Sequence, residues 1–540
     1  MDNIYYGRRL ASPNFKNRRE KNNNAGNTSL FKVLFSLLIF FLFFKALSAK
    51  PVSKVEFQQI SLPFVYSNYS QYESLLANAG FIPTSNSRMK EVAEVTTTNN
   101  DDNKCILVQS VPTVAVVNNK SKVDNIDSDN NVYSYVYSGE GTSTFGGNKL
   151  NSVDDVYSYL DKDKTLVGIV DAVDLRPQYR VVPIDGEYPF IDEGYDMYRD
   201  VYFCVYDDEH SYRMQNFVSI LNNDNPEFLT LSQTGVTAMV RGMARKIDSV
   251  GDNKYPALLI KEYLDKSDIV HTSNEVSFMP GCNAGASGVN FCSKPEYFES
   301  MTYLGIDIVG LTGNHNNDKG NKWNTYSIEM YEEAGMKYFG GGKNIEDASK
   351  ILYIEEKGTK VAFIGYNFYD WYYGYTHALA GATTAGANPY SEDKMKKDIA
   401  EAKQNADVVI VEFQFQECWA YSDSESANSA CYQPINNPNQ KEYFRKAVEY
   451  GADIVDGAQA HHPQIVESYE GGMIFYGLGN FFFDQEEWIG TKQGMILTHV
   501  FNEGKYLNTI VMPTYYDASF QVYVPTDSKK TDMLDIYYQR

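Results

Sequence analysis

The chain has 540 residues, of which 43% are hydrophobic and 22% are charged, and its formal net charge is −22. This length and balance indicate a globular protein of about three domains. The negative charge repels nucleic acid and anionic membrane surfaces, so we expect the folded surface to bind neither.

The first 50 residues differ in character from the rest of the chain. Residues 1–30 are basic and polar, which predicts a cytoplasmic tail. The apolar run over residues 31–49 suits either an uncleaved transmembrane anchor or a cleaved secretion signal, with small residues at 46–48 for the cleavage. The long basic leader favours the anchor. Both alternatives place residues 51–540 outside the cytoplasm, held at the membrane in one case and secreted in the other.

The six cysteines all follow the apolar run, as expected for an oxidising compartment. Two pairs of them bracket short loops rich in Gly, Ser and Asn. The sequence contains no CxxC spacing, which argues against a metal site formed by cysteines. Several pairings are open to six cysteines. We expect two local disulfides and one that joins the remaining pair, namely Cys282–Cys292, Cys418–Cys431 and Cys105–Cys204.

Residues 51–228 predict a smaller accessory α/β domain. Its apolar runs predict strands at residues 111–117, 165–170 and 179–184, and helical spacing with an acidic start predicts a helix at 152–160. The stretch 166–195 resembles part of a phosphate-type periplasmic solute-binding domain. An accessory domain without a ligand is the alternative.

Residues 229–517 alternate between predicted strands and helices, a pattern typical of a layered α/β sheet covered on both faces. The strands are predicted at 235–240, 268–271, 306–311, 360–366, 406–413, 452–455 and 473–477, and the helices at 255–264, 295–304, 325–335 and 392–404. An antiparallel hairpin is predicted over 495–511. Residues 518–540 are predicted to be a C-terminal tail.

Four of these predicted strands are followed directly by polar side chains. The segments are Ser273 to Glu275, Asn314-His315 with Asp318, Gln414 to Glu417, and Gln459 to His462. Because carboxyl ends of parallel strands meet at one edge of a sheet, we expect these segments to converge on a site. The structural alternative assigns Asp318 to capping the next helix and His462 to a packing contact.

Several stretches of residues 229–517 carry a family pattern, namely "TGVTAMVRGMA", "SNEVSF", "YLGIDIVGLTGNHNNDKG", "YFGGGKN" and "GADIVDGAQAHHPQIVESYEGGMIFYGLGNFFFDQ". They resemble the CapA-type proteins of poly-γ-glutamate capsule synthesis. The resemblance implies a calcineurin-like metallophosphatase fold, which is a four-layer αββα sandwich. It also implies an N-terminal membrane segment with the folded domain outside the cytoplasm.

The chain departs from the family pattern where metal ligands are expected. Val236 stands in place of an aspartate, Ser273 in place of an asparagine, and Gln414 and Gln459 in place of histidines. Valine cannot ligate a metal and glutamine is a weak ligand. We therefore expect one of the two metal positions of a metallophosphatase to be lost.

The remaining residues give two possible kinds of site. With a metal, the resemblance implies one divalent ion (Mn, Zn or Mg) bound by Glu275, Asn314, His315 and His461. Without a metal, Glu275 or Glu417 with His315 or His461 would form a catalytic acid–base pair. Ligand-binding roles would go to Arg241, Asn314, Gln414 and Gln459. The loops closed by the two local disulfides would form a rim around the pocket.

The resemblance implies a membrane-anchored extracytoplasmic protein that acts in the synthesis, export or anchoring of a polyanionic polymer such as poly-γ-glutamate. If it is an enzyme, a metallophosphatase-like hydrolase or transferase is expected. The expected partners are the polymer or a phosphate-containing small molecule, and other membrane proteins of capsule assembly. The alternative is a non-catalytic extracellular ligand-binding protein on the same fold.

Overall fold

The computed structural model describes short stretches between residues 64 and 96, and then residues 105–129, 133–138, 145–205, 225–421 and 430–540. The predicted basic tail and the anchor or signal at 31–49 lie outside the described residues. Among the helices that are described, none is long and apolar enough to span a membrane.

The described strands of the accessory domain form one nine-stranded sheet in the order β2-β1-β3-β9-β4-β7-β5-β6, with β8 beside β4. These strands are β1 (Phe64–Tyr66), β2 (Ile82–Thr84), β3 (Ala93–Thr96), β4 (Cys105–Asn118), β5 (Ser134–Ser138), β6 (Asn148–Leu150), β7 (Leu166–Asp171), β8 (Tyr179–Val181) and β9 (Tyr198–Val205). Helix α1 (Val153–Lys162) begins at Ser152, whose side chain accepts a hydrogen bond from the backbone of Asp155. The predicted strands and helix of this domain are confirmed.

Two larger sheets are formed by the described residues from 225 onward. The first has the order β13-β12-β11-β10-β23-β24-β25, with β22 beside β10, and the second has the order β15-β16-β18-β19-β21-β20. The first comprises β10 (Phe228–Thr237), β11 (Ile269–Asn274), β12 (Ile308–Gly310), β13 (Lys337–Phe339), β22 (Asn480–Phe482), β23 (Gln493–Asn502), β24 (Lys505–Tyr516) and β25 (Val522–Tyr523). The second comprises β15 (Leu352–Glu356), β16 (Thr359–Asn367), β18 (Val408–Gln414), β19 (Ile454–Ala458), β20 (Val466–Tyr469) and β21 (Gly472–Phe475). A short ribbon pairs β14 (Gly341–Gly342) with β17 (Gly386–Ala387).

Most helices of this part of the chain cover the outer faces of the two sheets, but the last one packs Met533 and Tyr537 into the cluster between the sheets. They are α2 (Arg241–Val250), α3 (Lys261–Leu264), α4 (Phe298–Tyr303), α5 (Asn321–Glu333), α6 (Ile345–Ala348), α7 (Phe368–Tyr373), α8 (Glu392–Asn405), α9 (Gln440–Glu449) and α10 (Ser528–Tyr538). Met243 of α2 and Ile328 of α5 pack in the cluster on the first sheet. Met395 of α8 and Phe444 of α9 pack in the cluster on the second sheet.

A third cluster lies between the sheets and joins Leu231 and Leu497 of the first sheet to Phe363 and Ile410 of the second. The layers are therefore helices, sheet, sheet and helices, which confirms the predicted αββα arrangement. Strand β18 contributes side chains both to the cluster between the sheets and to the outer cluster of the second sheet. Val409 and Val411 lie in the outer cluster while Ile410 lies in the inner one, since successive side chains of a strand point to opposite faces.

Three predictions of elements need correction. The apolar run at 235–240 is not a strand throughout, because β10 ends at Thr237 and α2 begins at Arg241. The predicted helix at 255–264 is split into a short 3₁₀ turn and α3. The C-terminal tail is folded, since β25 pairs with β24 and α10 buries Met533 and Tyr537.

Candidate functional site

The site lies at the edge where the parallel strands of both sheets end. Strands β10, β11 and β12 run parallel in the first sheet, and β16, β18 and β19 run parallel in the second. The polar segments predicted from sequence follow β11, β12, β18 and β19 at this edge. Contacts across the two sheets, described below, bring these segments together as expected for layered α/β folds.

The centre of the site is the carboxylate of Glu275, which directly follows β11. Glu275 is buried, and neither of its oxygens has a hydrogen-bond partner among the described residues. Two imidazoles face it, with His315 Nε2 at 3.8 Å and His461 Nε2 at 3.9 Å from Glu275 Oε1. A buried carboxylate without a partner is unfavourable unless a cation or a proton is supplied, so this arrangement indicates a binding position.

The hydrogen bonds on the far side of His315 determine which nitrogen faces Glu275. His315 Nδ1 lies 2.8 Å from Asp318 Oδ2, and the same oxygen accepts from the backbone N–H of Phe291 at 2.7 Å. Because an ionised carboxylate only accepts, Nδ1 carries a hydrogen. In neutral His315 the lone pair of Nε2 therefore points toward Glu275.

His461 has the same orientation through a different partner. Its Nδ1 lies 2.9 Å from Asn480 Oδ1, and Asn480 Nδ2 donates to Thr491 O at 3.0 Å and Gln485 Oε1 at 3.1 Å. These two acceptors fix the Asn480 amide so that its oxygen faces the imidazole. His461 Nδ1 thus carries the hydrogen, and its Nε2 is free to bind a cation or a proton.

The charges around His315 favour its protonated form. Burial of the ring opposes the positive charge, but the hydrogen bond to Asp318 and the negative charges of Glu275, Asp318 and Glu417 outweigh it and raise the His315 pKa. His315 is therefore suited to donate a proton at the site.

The three amides named from sequence bind one another. Gln414 Nε2 donates to Asn314 Oδ1 at 3.1 Å and also to Gln459 Oε1. The turn that carries the second glutamine is strained, because Gln459 and His461 have φ values of 78° and 52°. Such conformations in non-glycine residues are often retained at functional sites.

Val236 contributes no ligand to the site. It is buried in an apolar cluster with Val240, Val276, Phe291 and Phe483. The position where the resemblance implies a metal-binding aspartate is therefore apolar in its surroundings as well as in its own side chain. The donor set that remains consists of one carboxylate and two imidazoles, which fits at most one ion.

As they stand, these groups do not form a coordination shell. In the part of the chain that the structure describes, no group of three or more His, Cys, Asp or Glu side chains is arranged to hold a metal ion. Glu275, His315 and His461 nevertheless have the right chemistry, since an orphaned carboxylate and two oriented Nε2 atoms converge.

Arg241 is held by a neighbouring carboxylate. Its Nε donates to Asp484 Oδ1 at 2.7 Å and its Nη2 to the backbone oxygen of Asp484, while the guanidinium lies over the rings of Phe291 and Phe483. Asp484 also accepts from the backbone of Gly242. Two of the Arg241 donor atoms, Nε and Nη2, are thereby engaged.

A cleft of about 510 Å³ opens beside these residues. Arg241 and Asp484 line it, together with Ser287 from the first disulfide loop, and Glu417 and Tyr421 from the start of the second. The three predicted disulfides, Cys105–Cys204, Cys282–Cys292 and Cys418–Cys431, are confirmed. Residues of both local disulfide loops or next to them thus border the cleft.

The structural roles predicted for His462 and Asp318, a packing contact and a helix cap, have different outcomes. His462 is buried, its Nδ1 lies 2.9 Å from Pro463 O, and its ring packs on Tyr432, which agrees with a packing contact. Asp318 does not cap the next helix, because α5 begins at Gly320 without a side-chain cap. The Asp318 carboxylate holds His315 instead, which is the stronger interaction for an ionised group.

A second polar cluster, between the sheets, was not predicted. Thr312 Oγ1 donates to Glu412 Oε1 at 2.7 Å, and His271 Nε2 lies 3.4 Å from Glu412 Oε2. Asp456 is opposite Glu412 on the neighbouring strand and accepts from Gln233. Burial raises the Glu412 pKa to about 7, and burial and then the charge of Glu412 raise the Asp456 pKa. The sequence could have indicated this cluster, because Glu412 of β18 and Asp456 of β19 are each the single acidic residue of a largely apolar strand.

Comparison with known proteins gives matches to the same part of the chain. Residues 230–485 match the family described as bacterial capsule synthesis protein PGA_cap. The capsule biosynthesis protein CapA of Bacillus anthracis is 29% identical over 284 residues, which are 51% of this chain and 64% of that protein. The PGA biosynthesis protein CapA of Bacillus subtilis is 26% identical over 289 residues, 51% of this chain and 70% of that protein.

Among solved structures, a putative 5'-nucleotidase from Staphylococcus aureus aligns with a TM-score of 0.35 at 12% identity, covering 57% of this chain and 58% of that one. The family match over residues 230–485 includes the site residues from Arg241 to Asp484. Residues 230–485 of this chain are therefore similar to the bacterial capsule synthesis protein family PGA_cap.

Proposed function

We propose that this protein acts outside the cytoplasm in the synthesis, export or anchoring of a polyanionic polymer of the poly-γ-glutamate type. The family match and the names of the CapA relatives support a role in capsule synthesis. Three disulfides support an oxidising compartment. Anchoring through residues 31–49, and contact with other membrane proteins of capsule assembly, are parts of the same proposal.

The observation that carries a catalytic role is the partnerless Glu275 carboxylate facing two oriented imidazoles. Glu275, His315 and His461 would bind one divalent ion, and Asn314, which precedes His315 in the chain, would add an amide oxygen. Such an ion, when bound, would polarise a carbonyl or phosphoryl oxygen and activate water. The reaction class that fits is hydrolysis or transfer at an amide or phosphate ester.

The residues of the chain itself have separable roles in such a reaction. Asp318 and Asn480 hold the imidazoles in one tautomer and one orientation. When no ion is bound, His315, whose pKa is raised, would donate its Nε2 proton to the leaving group. Glu275 would accept a proton from the attacking nucleophile when no ion is bound.

A non-catalytic binding function is favoured by a different observation. Gln414 joins Asn314 and Gln459 in a neutral network of amides at the same edge. Neutral amides recognise ligands through hydrogen bonds and contribute little to metal binding. In this second candidate function, the domain would bind a segment of the polymer without changing it.

Metal content and turnover of the purified full-length protein separate the two functions. We expect about one ion per chain after incubation with Mn²⁺ or Zn²⁺, and hydrolysis of a phosphodiester or a γ-glutamyl amide substrate. Glu275→Gln and His315→Ala should each weaken metal binding at least about tenfold, because each removes one of few ligands. Glu401→Gln is the matched control, since it makes the same change as Glu275→Gln at an exposed residue of α8.

Turnover by His315→Ala at the level of the unchanged protein would contradict a catalytic site at Glu275. Binding of poly-γ-glutamate fragments with no metal and no turnover in any ion would establish the binding function instead.

Mass spectrometry of the mature N-terminus tests the anchor. Recovery of residues 1–48 from the membrane fraction is expected for an anchor, whereas a start near residue 49 would show a cleaved signal.

A further inference from the structure

A surface made of aromatic side chains adjoins the candidate site. It consists of Tyr369, Trp371, Tyr372, Tyr373 and Tyr375, which we name the aromatic shelf. All of them except Tyr369 are between 40% and 52% exposed. A contiguous exposed group of large aromatic rings is unusual in a soluble domain and indicates a binding surface.

Capping and packing contacts of helix α7 fix the position of the shelf. Helix α7 begins at Asn367, whose side chain accepts from the backbone N–H of Asp370 at 2.8 Å, and ends at Gly374 with a φ of 69°. Phe368 is buried and stacks on Phe415, just past β18, at a centroid distance of 4.3 Å. The exposed rings therefore extend from a fixed core, which lowers the entropy lost when a ligand binds.

Two contacts join the shelf to the candidate site. Gln416 Nε2 donates to the Tyr373 hydroxyl at 2.5 Å, and Gln416 lies two residues beyond Gln414. Two residues beyond Tyr375 of the shelf, His377 Nε2 lies 3.4 Å from Oδ1 of Asp318, the residue that holds His315. A ligand that lies on the shelf thus reaches the edge where Glu275 is buried.

The chain segments that carry the shelf and pack beside it contain acidic residues but no cationic ones. Residues 361–393 contain no Lys or Arg, and neither do residues 404–440. The carboxylate of Glu417 is close to the shelf, since burial and then the charge of Glu417 raise the pKa of Tyr369 to about 12. Across the cleft, Arg241 is paired with Asp484, and Arg245 Nη1 donates to Gly285 O.

Exposed aromatic rings beside a carboxylate favour a positively charged ligand. The faces of aromatic rings attract ammonium groups, and carboxylates nearby add to that attraction. A polyanion or a nucleic acid would require the cations that these segments lack. We propose that the aromatic shelf binds a chain bearing primary ammonium groups and presents it to the edge of the candidate site.

The inference goes beyond the proposed function, because it concerns binding of a cationic partner and requires no catalysis. It predicts that the polyanionic polymer is not the ligand of the shelf. The shelf and the Glu275 centre would then serve two chemically different groups at adjacent positions.

Calorimetric titration of the full-length protein with tetralysine tests the proposal at low ionic strength. We expect tetralysine to bind at least about tenfold more tightly than its Nε-acetylated form, which is the same chain without side-chain charge. The double variant Tyr372→Leu/Tyr375→Leu keeps apolar side chains but removes the ring faces, and should lose about tenfold in affinity. Tyr159→Leu is the matched control, because Tyr159 is 44% exposed on α1 of the accessory domain.

Equal binding of the acetylated peptide, or equal loss in the double variant and the control, would overturn the proposal. So would tighter binding of a neutral glycan such as chitotetraose, or binding of tetraglutamate that the double variant loses. An unchanged melting temperature in the double variant shows that it is folded. Tetralysine binding by His315→Ala separates this result from the outcome for the proposed function, because that variant leaves the shelf intact.

Discussion

The two imidazoles of the site have the same orientation through unlike partners. Asp318 holds His315 with a charge that raises the His315 pKa, whereas a neutral amide of Asn480 holds His461. The surroundings of His315 therefore favour its protonated form, although both Nε2 atoms face Glu275. This difference suits a reaction in which one imidazole donates a proton and the other acts as a neutral ligand.

The buried Glu412 gives a prediction about pH. Its pKa is raised by burial from 4.5 to about 7, so the folded state holds a proton that the unfolded state releases over this range. Stability should therefore fall as the pH rises from about 5 to 7, by up to roughly 3 kcal/mol from this group. Glu412→Gln stays neutral and should remove this loss, as measured by urea denaturation at pH 5 and pH 8.

Glu401→Gln serves as the control for that experiment, because Glu401 is an exposed residue of α8. The same pH dependence in Glu412→Gln and Glu401→Gln would show that Glu412 is not responsible.

At the scale of elements, buried strands were predicted better than surface helices. Strand β18 was predicted at 406–413 and is found at Val408–Gln414, since a parallel strand covered on both faces is a continuous apolar run. Helix α2 was missed because the apolar run before it continues to Val240, past the end of β10. Helix α7 was missed because its aromatic residues, partly exposed, do not have the one-sided spacing of a packed helix.

The disulfides allow a prediction at the same scale. The Cys105–Cys204 bond spans 99 residues, whereas Cys282–Cys292 spans 10. Because a longer closed loop restricts the unfolded chain more, replacing the first pair by serines should cost about 2 kcal/mol more than replacing the second. Denaturant unfolding of the two double variants measures the difference. An equal or reversed order would show that packing around the loops dominates.

At the scale of the whole molecule, α10 and Arg540 connect the accessory domain to the sandwich. Arg540 is fully buried, and its Nη2 donates to Asp124 Oδ2 at 2.7 Å in the accessory domain. Arg180 also donates to Asp124, at 3.0 Å. The two domains further share one hydrophobic cluster, in which Val116 of β4 and Leu507 of β24 both pack.

Asp124→Asn tests this connection. The variant leaves Arg180 and Arg540 buried without their carboxylate, and we expect a loss of about 3 kcal/mol in unfolding free energy. Lys122→Ala should change stability by less than about 1 kcal/mol, because the Lys122 pair with Asp535 is exposed. Thermal unfolding of both variants gives the comparison. Similar losses in the two would mean that Asp124 is not central to the connection.

The sequence alone was sufficient for the alternation of strands and helices, the three disulfides, the resemblance of residues 229–517 to capsule synthesis proteins and the four segments at the sheet edge. Each of these depends on neighbours along the chain or on a recognisable motif. The tertiary structure decided that Asp318 orients His315, that Glu275 faces His461, and that Glu412 meets Thr312. The last two contacts join residues far apart in the chain, and the energies of all three depend on burial and on hydrogen-bond partners that no local pattern encodes.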